Sequence, residues 1–276
     1  MDGKFGKYRG LVVDNVDPLD LGRIQVMVPN FPGFTPNWAM PCVPYAGPQV
    51  GFFFIPPIGA SVWVEFEGGE VNKPIWVGCF WQEGQMPARP GPPLQKVLRT
   101  KFVTMIMDDT PEAGGFTLNV LPPALEPEAT MSFTSEGMVF NTGEGTLNIT
   151  PESIMADLGP STLAMTDAGI NLGVGDVIFN MSEAEASIAV PPTTVSVTEE
   201  AVNINAEDSN VTISPESIEA ISGPTTVTIS PAALEATSAE ASQTLSAEGI
   251  ILEIGASNII MEPVGTVLSD GAVEII

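Results

Sequence analysis

Residues 211–226 read VTISPESIEAISGPTT, and residues 227–242 read VTISPAALEATSAEAS. The two stretches lie end to end and open on the same five residues. Extended in both directions, the sixteen-residue frame starts at Met131, Leu147, Leu163, Phe179, Val195, Val211, Val227, Gln243 and Ile259, giving nine repeats that end at Glu274. The third position is apolar throughout: Phe133, Ile149, Met165, Met181, Val197, Ile213, Ile229, Leu245 and Met261. The eighth is Met138, Ile154, Ile170, Val202, Ile218, Leu234 and Ile250, with Ala186 and Thr266 as the exceptions, and the tenth often joins it (Phe140, Leu172, Ile188, Ile204, Leu252, Leu268). Apolar residues at one and three, then at eight and ten, keep a period of two within each half. That is strand alternation, not a helical stripe. The switch from odd to even positions predicts a corner between the halves. Each repeat should therefore be two short strands and two corners, with small polar turns such as TPES, TDAG and SAEG gathering the acids. A fixed period of this kind predicts a solenoid.

A single chain with two or three inward side chains per strand buries little. Three chains wound together would share a core on one axis, with backbone hydrogen bonds running between chains, so the expectation is a homotrimer. Nine repeats of two strands, at roughly 4.8 Å per strand, give a rod of about 85 Å.

Charge divides the chain in two. Its 276 residues carry a formal net charge of −25. All nine basic residues (Lys4, Lys7, Arg9, Arg23, Lys73, Arg89, Lys96, Arg99 and Lys101) lie in residues 1–101, against eight acids, for a net +1. Residues 102–276 hold the other 26 acids and no base. A stretch without Lys or Arg cannot neutralise phosphates, which excludes nucleic acid as a partner there. There is no histidine, which excludes Ser-His-Asp and Cys-His catalysis and histidine metal sites. No catalytic, cofactor-binding or metal-binding residue is assigned, and no cofactor is expected. Cys42 and Cys79 sit among apolar residues and read as small buried thiols. The opening MDGKFGKYRG lacks the apolar core of a signal peptide, and no window is long and apolar enough for a membrane helix. Synthesis in the cytoplasm is the expectation.

The first hundred residues alternate differently. GLVV and RIQVMVP flank DNVDPLDLG, a strand–turn–strand pattern in which Ile24, Val26 and Val28 share a face. In SVWVEFEGG, Val62, Val64 and Phe66 face one way and Trp63 and Glu65 the other. Several short strands with Gly and Pro punctuation predict a small β-barrel. Trp38, Phe52, Phe53, Trp76 and Trp81 offer rings but few bases accompany them, so nucleic-acid binding is not expected here either. QMPARPGPP marks a boundary, and Asp108–Asp109 before Thr-Pro reads as a pair of turn caps.

The barrel segment then becomes specific. Gly22–Arg23 on one strand is followed by Pro57, Gly59, Val62, Val64, Phe66 and Gly69 in IPPIGASVWVEFEGG. Pro74, Val77 and Gly78 come next in KPIWVGCFW. In order and spacing these resemble the OB-fold domain of phage baseplate spike proteins (baseplate assembly protein V) and of VgrG-type central spikes of contractile injection systems. The resemblance implies an all-β chain: an OB-fold barrel over 1–90, a linker and start of stem over 91–130, and an intertwined triple-stranded β-helix with sixteen-residue repeats over 131–276. It implies a structural, non-enzymatic role as the puncturing needle of a contractile phage tail or related injection system. That role would join the tube hub and baseplate proteins to the tip and drive the stem through the target envelope. It also implies assembly into a virion or injection-system baseplate. The muramidase that some such spikes carry has no room between Pro90 and Met131. With no histidine, the chain cannot form the His-x-His apex of some spikes, so a PAAR-type tip protein is expected at Val264–Ile276. Because the chain begins almost at the barrel, the hub is expected to be a separate protein. Two other readings start from the same residues: a trimeric receptor-binding fibre or adhesin, and a β-helical polysaccharide-degrading enzyme.

Overall fold

The computed structural model describes residues 3–29, 31, 34–88 and 90–269; the end of the ninth repeat, 270–274, and the two residues after it lie outside them. The chain is all-β and divides into two units, Met1–Pro92 and Pro93–Ile276.

In the first unit, β1 (Tyr8–Asp14), β2 (Ile24–Met27), β3 (Asn37–Pro41), β6 (Ser61–Phe66) and β7 (Pro74–Phe80) close into a barrel in the order β1-β2-β3-β7-β6. Between β3 and β6, two short strands, β4 (Ala46–Gly47) and β5 (Val50–Gly51), pair only with each other. Alternation sets the core. Val12, Ile24, Val26, Val28, Ala39, Val62, Val64, Phe66 and Trp76 are buried together. Tyr8, Phe31 and Phe34 close over Phe66, with ring centroids 5.3–6.0 Å from it. On β7 one extra residue is inserted where Val62 pairs with Cys79 but Val64 pairs with Trp76. Gly78 sits in that bulge at φ 138°, a conformation closed to most side chains.

The second unit is one long antiparallel sheet. It begins with β8 (Gln95–Arg99), β9 (Val103–Asp108), β10 (Gly115–Val120) and β11 (Ala129–Thr134), and continues strand by strand to Gly265–Ser269. The cross-strand register explains the sixteen-residue period. Ile213 faces Ile218, and Ile218 faces Ile229; Val211 faces Ala220, and Ala220 faces Val227. Positions three and eight thus form one transverse row, and positions one and ten a second row two residues away on the same face. The first row runs unbroken from Phe116 and Phe133 through Met138, Ile149 and Ile154 to Ile250 and Met261.

Two features differ from the sequence expectation. The odd-to-even switch comes from hairpin pairing, not from the corner of a coil. Every hairpin of this sheet is closed by an even number of residues, as where Ile213 faces Ile218, so facing residues differ in parity and the apolar face changes parity at each turn. Backbone pairing also stays within the chain. Each strand from Val103–Asp108 to Ser257–Glu262 has a neighbour in sequence on both sides, so the expected ladder between chains is not what holds these strands.

The two edges of the sheet use different turns. On one edge a hydroxyl recurs every sixteen residues: Thr134, Thr150, Thr166, Ser182, Thr198, Ser214, Ser230 and Ser246. Each accepts a backbone N–H from the turn it opens. Ser214 Oγ accepts from Glu216 and Ser217 N–H (3.4 and 3.2 Å) and donates to the Ser217 carbonyl. These are hydroxyl-capped turns. On the other edge the chain turns through positive φ at Gly159, Gly175, Glu207, Gly223, Ala239 and Gly255, again on a sixteen-residue spacing that skips only position 191, a proline. Such residues suit the tight turns that match strand twist.

Candidate functional site

The sheet of the second unit is amphipathic. Its other face presents residues such as Ser132, Asn148, Asn171, Asn180, Ser196, Asn203 and Thr212 in transverse rows. Side-chain hydrogen bonds run along it, from Thr130 to Asn119, from Thr212 to Asn203 and from Asn171 to Asn180. Glu219, Glu235 and Glu253 lie on this polar face, and most other acids of the unit stand at turns.

The nine third-position residues all lie on the apolar face. Phe133 and Ile149 are half-buried; Met165, Met181, Val197, Ile213, Ile229, Leu245 and Met261 are exposed, at 36–47 % of their full surface. Their neighbours in the second row, including Leu172, Ile188, Ile204 and Ile259, are exposed as well. So long a bare apolar strip is unusual on a surface that faces water, which makes this face the candidate site for contact.

The barrel motif residues have separate structural tasks. Val62, Val64, Phe66 and Pro74 are buried, whereas Val77 lies half-buried on the opposite side of β7 from Trp76. Pro57 opens the turn into β6, its carbonyl accepting from Ala60 N–H (2.9 Å). Gly59, at φ 86°, donates to the Val12 carbonyl (2.9 Å). Gly69 is buried where an added Cβ would lie 3.0 Å from the backbone of Gly3 and Lys4. Gly22 turns at φ 70° into Arg23.

Arg23 has a partner that the sequence reading did not single out. Asp17 is the hub of the β1–β2 connection. Its carboxylate accepts backbone N–H groups from Leu19, Leu21 and Arg23 at 2.8–3.2 Å. It is also gripped by Arg23 through Nε (3.1 Å) and a terminal nitrogen (2.6 Å). Its side chain is 5 % exposed. The Arg23 guanidinium, and then the three amides, hold the Asp17 carboxyl far below the usual carboxylate range. Arg23 also stacks over Trp38, 5.5 Å from the ring centre. The Asp-Pro…Gly-Arg spacing carried the signal, since a carboxylate six residues before an arginine across a turn can meet it.

Asp108 caps a turn, accepting from Thr110 N–H and hydroxyl (2.9 and 2.5 Å) and from Gln95 (2.7 Å), and these bonds hold its carboxyl below the usual range. Asp109 pairs with Lys96. Cys42 and Cys79 are both exposed, contrary to the expectation of buried thiols. Cys79 lies near the end of β7, past the Gly78 bulge and opposite Val62, and Cys42 follows the end of β3. Among the described residues no group of three His, Cys, Asp or Glu side chains comes together to hold a metal, and no helix is long and apolar enough to cross a membrane.

No curated protein matches the chain. Residues 8–81 match the family model described as the type VI secretion system/phage-baseplate injector OB domain. The matched span begins at the first strand of the barrel and ends just after its last. A domain of this family belongs to a baseplate-type assembly in a phage tail or injection system. With its closed five-stranded barrel and its Gly22–Arg23, Pro57–Gly69 and Pro74–Gly78 motifs, the first unit is similar over residues 8–81 to the OB domain of type VI secretion system and phage-baseplate injectors.

Proposed function

We propose that this chain is the central spike of a contractile phage tail or related contractile injection system, that it works as a homotrimer, and that its action is mechanical. The barrel joins the tube hub and baseplate proteins. The amphipathic sheets of three stems pack their apolar faces on a common axis, leaving polar faces and acidic turns in water. The resulting narrow rod is driven through a target envelope when the sheath contracts. No bond is made or broken. A PAAR-type tip protein at Val264–Ile276 would complete the needle, and 270–276 of that stretch lie outside the described residues.

The observation that carries this reading is the unbroken apolar strip, bare in the single chain and joined to an injector OB domain. Covering it answers a physical need, because each exposed apolar square ångström costs about 25 cal/mol in water. Sedimentation equilibrium of the purified full chain provides the test. A mass three times the 29.0 kDa of one chain is expected, and a monomeric mass at micromolar concentration refutes the reading.

A further inference from the structure

We infer that Gln243 sets the register between copies of this chain, its side-chain amide pairing with the same amide of the neighbouring copies on their common axis. The inference rests on the trimeric reading and deepens it, by naming the residue that selects one arrangement among many.

The apolar face of the stem carries three transverse rows. The third- and eighth-position residues form one outer row, and residues such as Ser209, Ser222 and Thr225 form the other. Between them runs the row of positions one and ten, for example Val211, Ala220 and Val227. When three sheets pack around an axis, the middle of each face comes closest to it, so this row supplies the innermost side chains. From Met105 to Leu268 every residue in the middle row but one is apolar. The exception is Gln243, which faces Ala236 on one side and Leu252 on the other. It is exposed in the single chain, and its amide bonds to no other described residue.

Periodicity poses a problem that apolar contact does not solve. A copy shifted by one repeat moves two strands, or about 10 Å, along the axis. Ile229 then stands where Ile213 stood and Val227 where Val211 stood, so nearly all of the burial is kept. A copy packed in the reverse direction buries its apolar face as well. The hydrophobic effect is non-directional and does not choose among these arrangements.

A polar residue in the seam does choose. A buried amide left unpaired is far costlier than a paired one. In coiled coils a single polar residue at a core position fixes register and strand number, with some loss of stability. When three copies stand in register, their Gln243 side chains meet at one height, and each Nε2–H can donate to the next Oε1 to close a ring. After a shift of one repeat in either direction, Gln243 meets Val227 or Ile259 instead and its amide goes unpaired. Ala236, directly opposite, is small enough to leave the longer side chain room to reach inward.

The test uses the full chain with its exposed Cys42 and Cys79 replaced by serine, and a nitroxide spin label on Ala232→Cys, an exposed turn position. Three labels at one height about a threefold axis give a single interspin distance in pulsed electron–electron double resonance. Gln243→Leu should still sediment as a trimer and should dissociate at a higher temperature, but its distance distribution should gain a second, longer component. Gln243→Asn, which keeps an amide, should keep the single distance. The proposal is overturned by a Gln243→Leu trimer that keeps the parent's single distance, by a Gln243→Leu chain that no longer associates, or by a Gln243→Asn chain that behaves as Gln243→Leu is expected to. Each of those results leaves the spike reading intact, because the parent is a trimer in all of them. A monomeric parent chain rejects both.

Discussion

Placing one carboxylate in the apolar strip should separate what holds the chain from what holds the proposed trimer. Ile213 is the position of choice. It faces Val202 on one side and Ile218 on the other, and 42 % of its surface is exposed in the single chain. Fully burying an isoleucine is worth about 1.5–3 kcal/mol, so covering the remaining two-fifths contributes roughly 1 kcal/mol per copy. Ile213→Asp forfeits that in each of three chains. It also brings three carboxylates to the axis, each losing several kcal/mol of hydration without a partner. Even a net loss of about 4 kcal/mol lowers the association constant by roughly a thousandfold. The strand pairing is intrachain, so the β signal in far-ultraviolet circular dichroism should persist while the sedimenting mass falls to that of one chain. The matched control is Asn203→Asp, on the polar face, where the new carboxylate still accepts from the Thr212 hydroxyl. That variant should sediment as the unsubstituted chain does. If Ile213→Asp also keeps the mass of a trimer, the apolar face is not the contact surface and the argument fails.

The remaining predictions concern the turns and the barrel. Ala239 holds φ 49° without being glycine, so Ala239→Gly should stabilise the fold by about 0.5–1 kcal/mol, read as a higher unfolding midpoint; a lower midpoint would show the turn is unstrained. Ser214→Ala removes two turn caps and should cost about 0.5–1.5 kcal/mol, whereas Ser214→Thr, which restores the residue found at Thr150 and Thr198, should be near neutral. All four tryptophans lie in the first unit, so their fluorescence reports barrel unfolding alone. By that readout Asp17→Asn should be destabilising near neutrality. Because the folded-state pKa of Asp17 is depressed, its contribution is present above the ordinary carboxylate range, about pH 4, and fades as pH falls toward the lowered value. Parent and variant should therefore differ at pH 7 and converge in strong acid. A constant gap across that range would discount the Asp17–Arg23 pair.

Much of the stem was legible because its physics is periodic. The third, eighth and tenth positions named the buried-face candidates, and pairing such as Ile218 opposite Ile229 puts them in rows. What periodicity could not distinguish was a corner from a hairpin. Both change the parity of the inward face, and only the cross-strand register separates them. The hydroxyl ladder from Thr134 to Ser246 was visible in principle as a fourth-position Ser or Thr, yet polar turn residues are common enough to hide a capping role. In the barrel, alternation identified Ile24, Val26, Val62, Val64 and Phe66. It did not identify Asp17, whose importance lies in five donors closing on one carboxylate across a loop. The cysteines misled because apolar neighbours in sequence do not by themselves bury a position: Cys79 lies beyond the Gly78 bulge near the end of β7 and Cys42 just past the end of β3, and both are exposed.

The acidity of the stem can be weighed against its apolar face. Three copies carry three times −25, or −75, which by itself opposes assembly. The acids, however, stand at turns such as Glu136, Glu152, Glu216 and Glu248, or on the polar face, where water surrounds them. A like-charge pair 4 Å apart in water repels by about 1 kcal/mol, and salt screens anything beyond about 8–10 Å. Against this, each third-position side chain from Met165 to Met261 returns roughly 1 kcal/mol when its exposed part is covered, in every chain and along the whole axis. Burial therefore wins for face-to-face packing. The balance reverses for any contact made through the acidic turns, where repulsion meets no apolar gain. A long amphipathic sheet would otherwise invite open-ended stacking and edge pairing. Acids at the turns leave the apolar face as the only favourable direction of association, and an assembly that buries that face completely has nothing left to recruit further copies.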